Sequence, residues 1–343
     1  MFGALRARLG GLMLLGLVSG CSAAPMPESA AEARAFFRGR TLIYVVATEP
    51  GGSYDTYGRL VARYLEKHLG LARAVVKNVP GGGHIRGANE IASAPADGLT
   101  LGTFNTGMIQ AQLLRRDGVR FDLNDLSWIG KAGGEPRVLV ASRQSGIRTI
   151  EDLRRLGRPL VMANSGFGNE GYHDSLLLGD ALGFEVRFVF GLPTRAAQLS
   201  MMRGEVEAHM ASESAYRAFV RDGHAHVVVA LGTAATLDEA APWAIALNLD
   251  ASTKGVLTFQ SSLARLMRWT AGPPGIPEAR LAVLRDAYSA ALADPELVAS
   301  AAKLDIPLLP MDGVTLAIEV ARALSPAPAI LERLERVLRE PSR

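Results

Sequence analysis

Residues 41–64 read TLIYVVATEPGGSYDTYGRLVARY, and this stretch decides the fold. Residues 41–47 are a continuous run of β-branched and apolar side chains, which is typical of a strand buried on both faces of a parallel sheet. Residues 50–55 form a loop with one proline and two glycines. Beyond the loop, apolar side chains recur at helical spacing and predict an amphipathic helix. A strand, a glycine loop and a helix in this order indicate an α/β fold.

The same order recurs along the chain and predicts two α/β units. The first unit continues with predicted strands at 74–76 and 99–104 and predicted helices at 86–94 and 107–114. The second unit has predicted strands at 137–141, 160–163, 186–190, 206–210 and 227–231, alternating with predicted helices at 150–155, 172–182, 195–203 and 216–220. The sequence after residue 273 is predicted to be mainly helical.

The length of 343 residues exceeds the size that a single hydrophobic core usually reaches. We therefore predict an α/β protein with two lobes, each a mainly parallel sheet flanked by helices. The predicted division is a signal peptide at 1–20, a lipid-anchored tether at 21–38, lobe one at 39–132 plus 235–343, and lobe two at 133–234. Because the chain crosses twice, lobe one is discontinuous, and the cleft between the lobes is the default ligand site.

The N-terminus predicts export. Arg6 and Arg8 precede an uncharged apolar stretch at 9–18, which is too short to span a bilayer and has the length of a signal-peptide core. The sequence LVSGC at 17–21 resembles the lipobox of bacterial lipoproteins, and Cys21 is the only cysteine in the chain. We expect a lipid on Cys21 to hold the protein at the periplasmic face of a bacterial membrane. The alternative is a cleaved signal with an incidental cysteine.

Composition and motifs argue against several classes of function. The net charge of +3, without a basic run interleaved with aromatic residues, gives no sign of a nucleic-acid partner. The chain has neither a Gly-x-Ser-x-Gly elbow nor a His-Glu-x-x-His helix, so we predict no catalytic residue, no enzyme activity and no cofactor. His224 and His226 have no companion ligand at a suggestive spacing, so no metal site is predicted.

Glycine loops follow strands in both units and predict a site for a small anion. Ligands of open α/β sheets lie at the carboxyl ends of strands. Glycines let the backbone come close to a ligand, and helix N-termini favour negative charge. The candidate ligand-binding residues are Gly51, Gly52, Ser53, Tyr54, Asp55, Gly82, Asn105 and Thr106 in the first unit and Ser165, Gly166, Gly168, Asn169, His173 and Ser212 in the second. The alternative is a set of tight turns without a ligand, with Ser212 as a helix cap.

The order of the loops resembles a known family. A strand leads into Pro-Gly-Gly-Ser-x-Asp at 50–55, Asn-x-Pro-Gly-Gly-Gly follows at 78–83, and Ala-Asp-Gly-Leu-Thr-Leu stands at 96–101. Together with Gly-Glu-Val-Glu at 204–207 and Gly-Pro-Pro-Gly-Ile-Pro at 272–277, this series is similar to the Bug family, the substrate receptors of tripartite tricarboxylate transporters.

The resemblance implies a two-lobe, type II periplasmic-binding fold that captures a small carboxylate. It implies a monomer that serves a membrane permease of small and large subunits. It also implies that one loop from each lobe holds the ligand carboxylate. The matching residues are Gly51, Gly52, Ser53 and Asp55 in lobe one and Ser165, Gly166, Gly168, Asn169 and His173 in lobe two.

Two departures from the family pattern leave the charge of the ligand open. Glu170 stands where the family has serines, and an inward-pointing carboxylate would repel an anion. The family's Pro-Tyr-Lys-Gly reads Phe-Gly-Leu-Pro at 190–193, so a basic residue is missing. The ligand is expected to be a carboxylate, a neutral analogue, or a zwitterion such as an amino acid with its amine near Glu170 or Asp55. A receptor that feeds a signalling partner, an α/β cleft enzyme and a membrane-bound interaction protein without a ligand are the alternatives.

Overall fold

The computed structural model describes residues 28–232 and 241–338. The predicted signal peptide, Cys21 and residues 233–240, which include the predicted boundary between 234 and 235, lie outside the described residues. In the described part of the chain, eleven strands form two sheets. In chain order the strands are β1 (Thr41–Val46), β2 (Arg73–Asn78), β3 (Thr100–Thr103), β4 (Ser127–Lys131), β5 (Arg137–Ser142), β6 (Leu160–Asn164), β7 (Val186–Phe190), β8 (Ala208–Ser212), β9 (Ala225–Leu231), β10 (Trp269–Gly272) and β11 (Met311–Asp312).

The first sheet has the strand order β11-β4-β10-β3-β1-β2, and the second has the order β7-β6-β8-β5-β9. We call the first sheet with its covering helices lobe one and the second sheet with its covering helices lobe two. β4 lies just before the predicted lobe boundary at residue 132, and it pairs antiparallel with β10 from far along the chain. Along the chain, the strands of the first sheet therefore both precede and follow those of the second sheet.

Most strands of each sheet run in the same direction, as predicted, but both sheets also contain antiparallel strands. β1 pairs in parallel with β2 and β3, and β6 pairs in parallel with β7 and β8. However, β10 runs antiparallel to β3 and β4, and β5 runs antiparallel to β8 and β9. β5 and β10 are the first described strands after each crossing between the sheets, so no crossover helix forces them to run parallel to their neighbours.

Helices cover both faces of each sheet. In chain order they are α1 (Ala30–Phe37), α2 (Ser53–Leu69), α3 (Ile85–Ala92), α4 (Gly107–Leu113), α5 (Ile150–Arg155), α6 (Glu170–Leu182), α7 (Thr194–Met202), α8 (Arg217–Arg221), α9 (Ala251–Leu263), α10 (Glu278–Ala293), α11 (Pro295–Lys303), α12 (Gly313–Ala323) and α13 (Pro328–Leu338). Tyr44 and Val45 of β1 belong to separate buried clusters, as do Val138 and Leu139 of β5. Alternate side chains of a strand thus pack under helices on opposite faces.

Two helices from the predicted lobe-one segment 235–343 pack against lobe two. Leu177 of α6, Val256 of α9, and Leu334 and Leu338 of α13 form one buried cluster. The strands of the second sheet lie within 137–231, and the return strands β10 and β11 join the first sheet. The exact boundaries remain a prediction, and α9 and α13 connect the two lobes through α6.

Residues 30–37 form helix α1, which corrects the prediction of a tether over 21–38 in this part. Ser29 and Glu32 form a capping box, in which the Ser29 hydroxyl accepts a hydrogen bond from the Glu32 amide and the Glu32 carboxylate accepts one from the Ser29 amide. Ala33 and Phe37 are fully buried in a cluster with residues of α10. Local capping and apolar burial thus hold a segment whose composition alone suggested a linker.

No single helix among the described residues is both long and apolar enough to cross a membrane. By length and composition, α12 and α13 pass that test only as a pair, and they are bent by 77°. Leu316 and Val320 of α12 are buried in the core of lobe one. Within the same described ranges, no three or more His, Cys, Asp or Glu side chains come together as a metal site would require.

Candidate ligand-binding cleft

The loops after β2, β3 and β6 meet between the two sheets and form the candidate cleft. At Gly83, an added Cβ would lie 2.5 Å from the carbonyl oxygen of Phe167 in lobe two, and the φ angle of 61° also favours glycine. At Gly107, the first residue of α4, an added Cβ would lie 3.0 Å from the backbone nitrogen of Glu170. Backbone atoms of the two lobes are therefore in direct contact across the cleft.

The carboxylate of Glu170, the first residue of α6, joins the two lobes. Its Oε2 accepts hydrogen bonds from Tyr54 Oη at 3.1 Å and from Thr106 Oγ1 at 3.3 Å, both in lobe one. Its Oε1 accepts a hydrogen bond from Arg137 Nη1 at 3.1 Å in lobe two. Burial acts to raise the pKa of Glu170, but Arg137 and Arg268 outweigh burial and hold this pKa below its usual value. The carboxylate is therefore ionised at neutral pH and faces the cleft.

Arg137, the first residue of β5, uses every nitrogen of its guanidinium group. Nε donates to Asp174 Oδ2 at 2.8 Å, and Nη2 donates to the Met210 carbonyl oxygen at 3.4 Å, in addition to the bond from Nη1 to Glu170. The side chain is only 8% exposed. A buried arginine needs such partners, because an unpaired buried charge is strongly destabilising.

Buried amides continue this hydrogen-bonded chain from lobe two back to lobe one. Burial raises the pKa of Asp174, although Arg137 opposes that effect. Gln260 of α9 donates from Nε2 to Asp174 Oδ1. Gln110 of α4 in turn donates from Nε2 to Gln260 Oε1 at 2.8 Å. The lobes are thus linked at two places by buried polar groups.

Arg268 lies immediately before β10 and is buried where the lobes meet. Its Nη2 donates to Ser53 Oγ of lobe one at 3.1 Å, to Ser212 Oγ of lobe two at 2.9 Å and to Glu135 Oε1 at 3.0 Å. The guanidinium carbon lies 4.3 Å from the centroid of the Tyr54 ring. Nε and Nη1 have no hydrogen-bond partner among the residues that the structure describes. Arg268 is therefore a buried cation at the lobe junction that still has donors for an anion.

Four predicted ligand-binding side chains contact these two charged centres. Ser53 and Ser212 accept hydrogen bonds from Arg268, and Tyr54 and Thr106 donate hydrogen bonds to Glu170. Gly82 directly precedes the interlobe contact at Gly83. The structure thus brings together residues that lie on both sides of the predicted cleft.

The other predicted residues of lobe one hold their own loops in shape. The Asp55 carboxylate accepts hydrogen bonds at 2.9 Å from the Gly51 amide, from Arg59 Nε and from Asn78 Nδ2. It therefore ties the first loop to β2. Gly52 is the N-cap residue of α2. The side chain of Asn105 accepts a hydrogen bond at 3.0 Å from the backbone of residue 107.

The predicted loop of lobe two is organised around Asn169. Its Oδ1 caps α6 by accepting a hydrogen bond from the Tyr172 amide, and its Nδ2 donates to Ser165 Oγ, both at 2.8 Å. The Gly166 amide donates to the side chain of residue 164, which also accepts from Asn169. Gly168 has a φ angle of 76° and packs against Arg116 of lobe one. A direct role of these residues in ligand binding remains a prediction.

Two buried histidines in lobe two are held neutral. His173 is fully buried, and neither ring nitrogen has a partner within the described ranges. Burial, reinforced by Arg116, lowers the pKa of His173 well below its usual value. His209 shares a 2.7 Å hydrogen bond with Tyr216 Oη, and burial lowers the pKa of His209 to about 3.

These lowered pKa values predict a loss of stability in mild acid. An unfolded histidine has a pKa of about 6.5, so between that value and the folded-state pKa the unfolded chain binds more protons than the folded chain. The contribution of these two histidines to the free energy of unfolding should be fully maintained above the unfolded-state pKa. Below it, each histidine should lower this free energy by up to about 1.4 kcal/mol per pH unit, measured by urea denaturation.

His173→Asn should reduce this pH dependence, because it removes one of the two buried groups. His224→Asn is the matched control, since His224 is exposed. Equal slopes for the two variants would contradict the assignment of His173 as a buried neutral group.

Gly107→Ala should separate the lobes at their backbone contact. The new methyl group would press on the amide of Glu170 and on Asn105 Oδ1, 2.9 Å away. Overpacking of this kind should lower the free energy of unfolding by about 1–3 kcal/mol, measured in urea. Gly166→Ala is the control, because an added Cβ there meets no atom within 4 Å, and it should change stability by less than about 0.5 kcal/mol. Similar losses for both variants would argue against the contact.

The sequence did not predict Arg137, Arg268 or Glu135 as residues of the site. Arg137 begins the buried strand RVLVAS, and Arg268 immediately precedes the buried strand WTAG. A charged side chain next to so much apolar sequence is rarely buried without a partner. That combination was a usable signal for both arginines.

Comparison by sequence places this chain beside a group of receptors. A family model described as "Tripartite tricarboxylate transporter family receptor" matches residues 58–334. The UPF0065 protein in the tcbD-tcbE intergenic region of Pseudomonas sp. (strain P51) is 28% identical over 185 residues, which is 53% of this chain and 55% of that protein. Protein BugT of Bordetella pertussis is 24% identical over 200 residues, 57% of this chain and 61% of BugT. The chain spans about half the length of the curated relatives it matches.

Comparison by structure shows the same two-lobe architecture. The periplasmic binding protein BugD matches with a TM-score of 0.71 and 19% identity, covering 87% of this chain and 97% of BugD. MatC from Rhodopseudomonas palustris, solved with bound malate, matches with a TM-score of 0.69 and 22% identity, covering 87% of this chain and 99% of MatC. These likenesses confirm the predicted two-lobe periplasmic-binding fold.

Proposed function

Because this chain belongs to the tripartite tricarboxylate transporter receptor family, we propose that it is an exported receptor that closes two lobes around a small carboxylate. It delivers this ligand to a membrane permease of small and large subunits. A lipid on Cys21 holds the receptor, as a monomer, at the periplasmic face of the membrane. The members of this family are substrate receptors, which supports a binding function over catalysis in the cleft.

The observation that carries the proposal is the position of Arg268. Its guanidinium group contacts one predicted ligand-binding serine from each lobe, Ser53 and Ser212. Two of its nitrogens have no partner among the described residues. A carboxylate that accepts hydrogen bonds from such an arginine gains charge-assisted bonds, which are about twice as strong as neutral ones.

A carboxylate at Arg268 would also favour closure. An anion near both serines contacts the two lobes at once, so it binds the closed arrangement more tightly than the open one. Such a difference in affinity is what shifts a receptor from open to closed. MatC holds malate and another R. palustris structure of similar fold holds adipate, and both ligands are small carboxylic acids. This supports the chemical class of the ligand.

A thermal-shift screen of the purified exported protein tests the proposal. The library contains small mono- and dicarboxylic acids, amino acids, amines and neutral amides. A ligand at 100 times its dissociation constant should add about 2.7 kcal/mol of stability. We expect stabilisation by carboxylates and none by amines. If only amines or neutral amides stabilise the protein, the proposal that the ligand is a carboxylate is refuted.

A further inference from the structure

Two arginines are buried in the cleft, but only one has donors left for a ligand. All three nitrogens of Arg137 donate hydrogen bonds, to Glu170, to Asp174 and to the backbone of Met210. In Arg268 only Nη2 is engaged, and Nε and Nη1 have no partner within the described ranges. Of these two arginines, Arg268 is therefore the one that can donate further hydrogen bonds to an anion.

The Glu170 carboxylate makes the contacts expected of a bound anion. One oxygen accepts hydrogen bonds from Tyr54 and Thr106 of lobe one, and the other accepts a hydrogen bond from Arg137 of lobe two. It lies at the N-terminus of α6, where a helix favours negative charge. A ligand carboxylate placed here would need the same donors. Glu170 supplies that carboxylate from the protein itself.

The space around Glu170 is also closed. An added Cβ at Gly107 would lie 3.0 Å from the Glu170 amide. An added Cβ at Gly171 would lie 2.9 Å from the Met210 carbonyl oxygen and 3.2 Å from Arg137 Nη2. The first turn of α6 is therefore pressed between α4 and β8. A second carboxylate cannot reach Arg137 unless Glu170 moves away.

The charges around Arg137 and Arg268 favour one added anion over two. Arg137 faces two acidic side chains, Glu170 and Asp174, and Arg268 faces Glu135. A ligand carboxylate at Arg268 can use nitrogens that have no hydrogen-bond partner among the described residues. A second carboxylate at the far end of the ligand would meet Glu170, and all three nitrogens of its partner Arg137 are already engaged. Buried like charges disfavour each other strongly.

We infer that Glu170 is a built-in carboxylate that occupies one of two anion positions in the cleft and makes the receptor selective for ligands with a single carboxylate. The inference rests on the proposed function. The ligand carboxylate binds at Arg268, and the opposite end of the ligand, near Glu170, is neutral or cationic. Dicarboxylates of equal length are disfavoured, because their second carboxylate competes with Glu170 for Arg137, Tyr54 and Thr106.

Calorimetric titration with matched acids tests this selectivity in the purified exported protein. The probes are propionate, butyrate and valerate, with malonate, succinate and glutarate as the dicarboxylates of equal carbon number. The wild-type protein should bind at least one monocarboxylate about tenfold or more tightly than its dicarboxylate partner, a difference of about 1.4 kcal/mol. A wild-type preference for the dicarboxylates would overturn the inference and leave the proposed function in place.

Two substitutions locate the selectivity at Glu170. Glu170→Ser removes the built-in carboxylate and frees a donor of Arg137, so it should strengthen dicarboxylate binding about tenfold or more. Glu170→Gln preserves the shape of the side chain and should shift the preference in the same direction by a smaller factor. Glu170→Gln still tests the preference for monocarboxylates if the serine variant does not fold. Glu90→Gln is the control, because Glu90 pairs with Lys77 at the surface and should leave the preference unchanged.

The outcomes separate the two proposals. An unchanged preference in both Glu170 variants would overturn the inference alone. Absence of binding by every carboxylate, in the wild-type protein and in the variants, would instead remove the proposed function on which the inference rests.

Discussion

Arg268→Gln should weaken carboxylate binding by about 2–5 kcal/mol, a loss of roughly 30-fold to several thousand-fold in affinity. The guanidinium group is buried between Ser53 and Ser212, and its Nε and Nη1 make no hydrogen bond to the described residues. Glutamine retains hydrogen-bonding groups but removes the positive charge. The measurement is a calorimetric titration with the best acid from the screen, with a thermal melt to show that the variant is folded.

Arg265→Gln is the matched control for this prediction. Arg265 lies three residues before Arg268 but is exposed, so its loss should change the affinity by less than about threefold. Arg268→Lys keeps the charge and loses the planar group that stacks on Tyr54, so it should bind with intermediate affinity. Wild-type affinity in Arg268→Gln would show that the ligand binds elsewhere.

Arg137→Met should lower the free energy of unfolding by about 3–5 kcal/mol, because it leaves two buried carboxylates without their cation. Glu170 and Asp174 are 11% and 3% exposed, so water cannot replace the lost partner. Methionine retains much of the apolar stem of arginine. The loss of unfolding free energy should therefore come from the missing charge and not from a cavity. Urea denaturation at neutral pH measures the change.

Arg158→Met provides the contrast for the Arg137 prediction. Arg158 also pairs with a glutamate, Glu207, at 2.6 Å, but its side chain is 51% exposed. An exposed ion pair contributes only about 0–1 kcal/mol. Adding Glu170→Gln to Arg137→Met should restore part of the lost stability, because one unpaired charge is removed. Equal losses for Arg137→Met and Arg158→Met would contradict the account of the buried pair.

The parts of the fold that are built from local sequence patterns could be predicted. The strand, glycine loop and helix units at β1-α2, β3-α4 and β6-α6 follow from apolar runs that are bounded by glycine and capping residues. The order of these loops also carried the resemblance to the Bug family, which the family model and the solved structures confirm. Patterns of this kind lie within about thirty residues and need no knowledge of tertiary pairing.

Other elements could not be predicted because distant residues stabilise them. β4 and β10 are short and contain glycine, and each is a strand because it pairs with the other across more than one hundred residues of sequence. Helix α9 mixes polar and apolar residues, and burial of Val256 against α6 and α13 stabilises it. Lipid attachment at Cys21 remains a prediction, since that residue lies outside the described ranges.

The site was predicted in part for the same reason. Ser53 and Ser212 belong to recognisable loops, whereas the role of Arg268 depends on partners that lie 215 and 56 residues away in the sequence. The sequence could not show whether Glu170 faces the cleft, because the first residue of a helix can point to either side. In the structure, Arg137 and Tyr54 fix its direction and satisfy its charge.

The most direct measurement is a crystal structure of the protein with the best acid from the thermal-shift screen. We expect a ligand carboxylate oxygen within about 3.2 Å of Nε or Nη1 of Arg268, with the ligand between the two lobes. We also expect that Glu170 still accepts its hydrogen bond from Arg137. A ligand whose carboxylate lies away from Arg268, or replaces Glu170 at Arg137, would contradict the account.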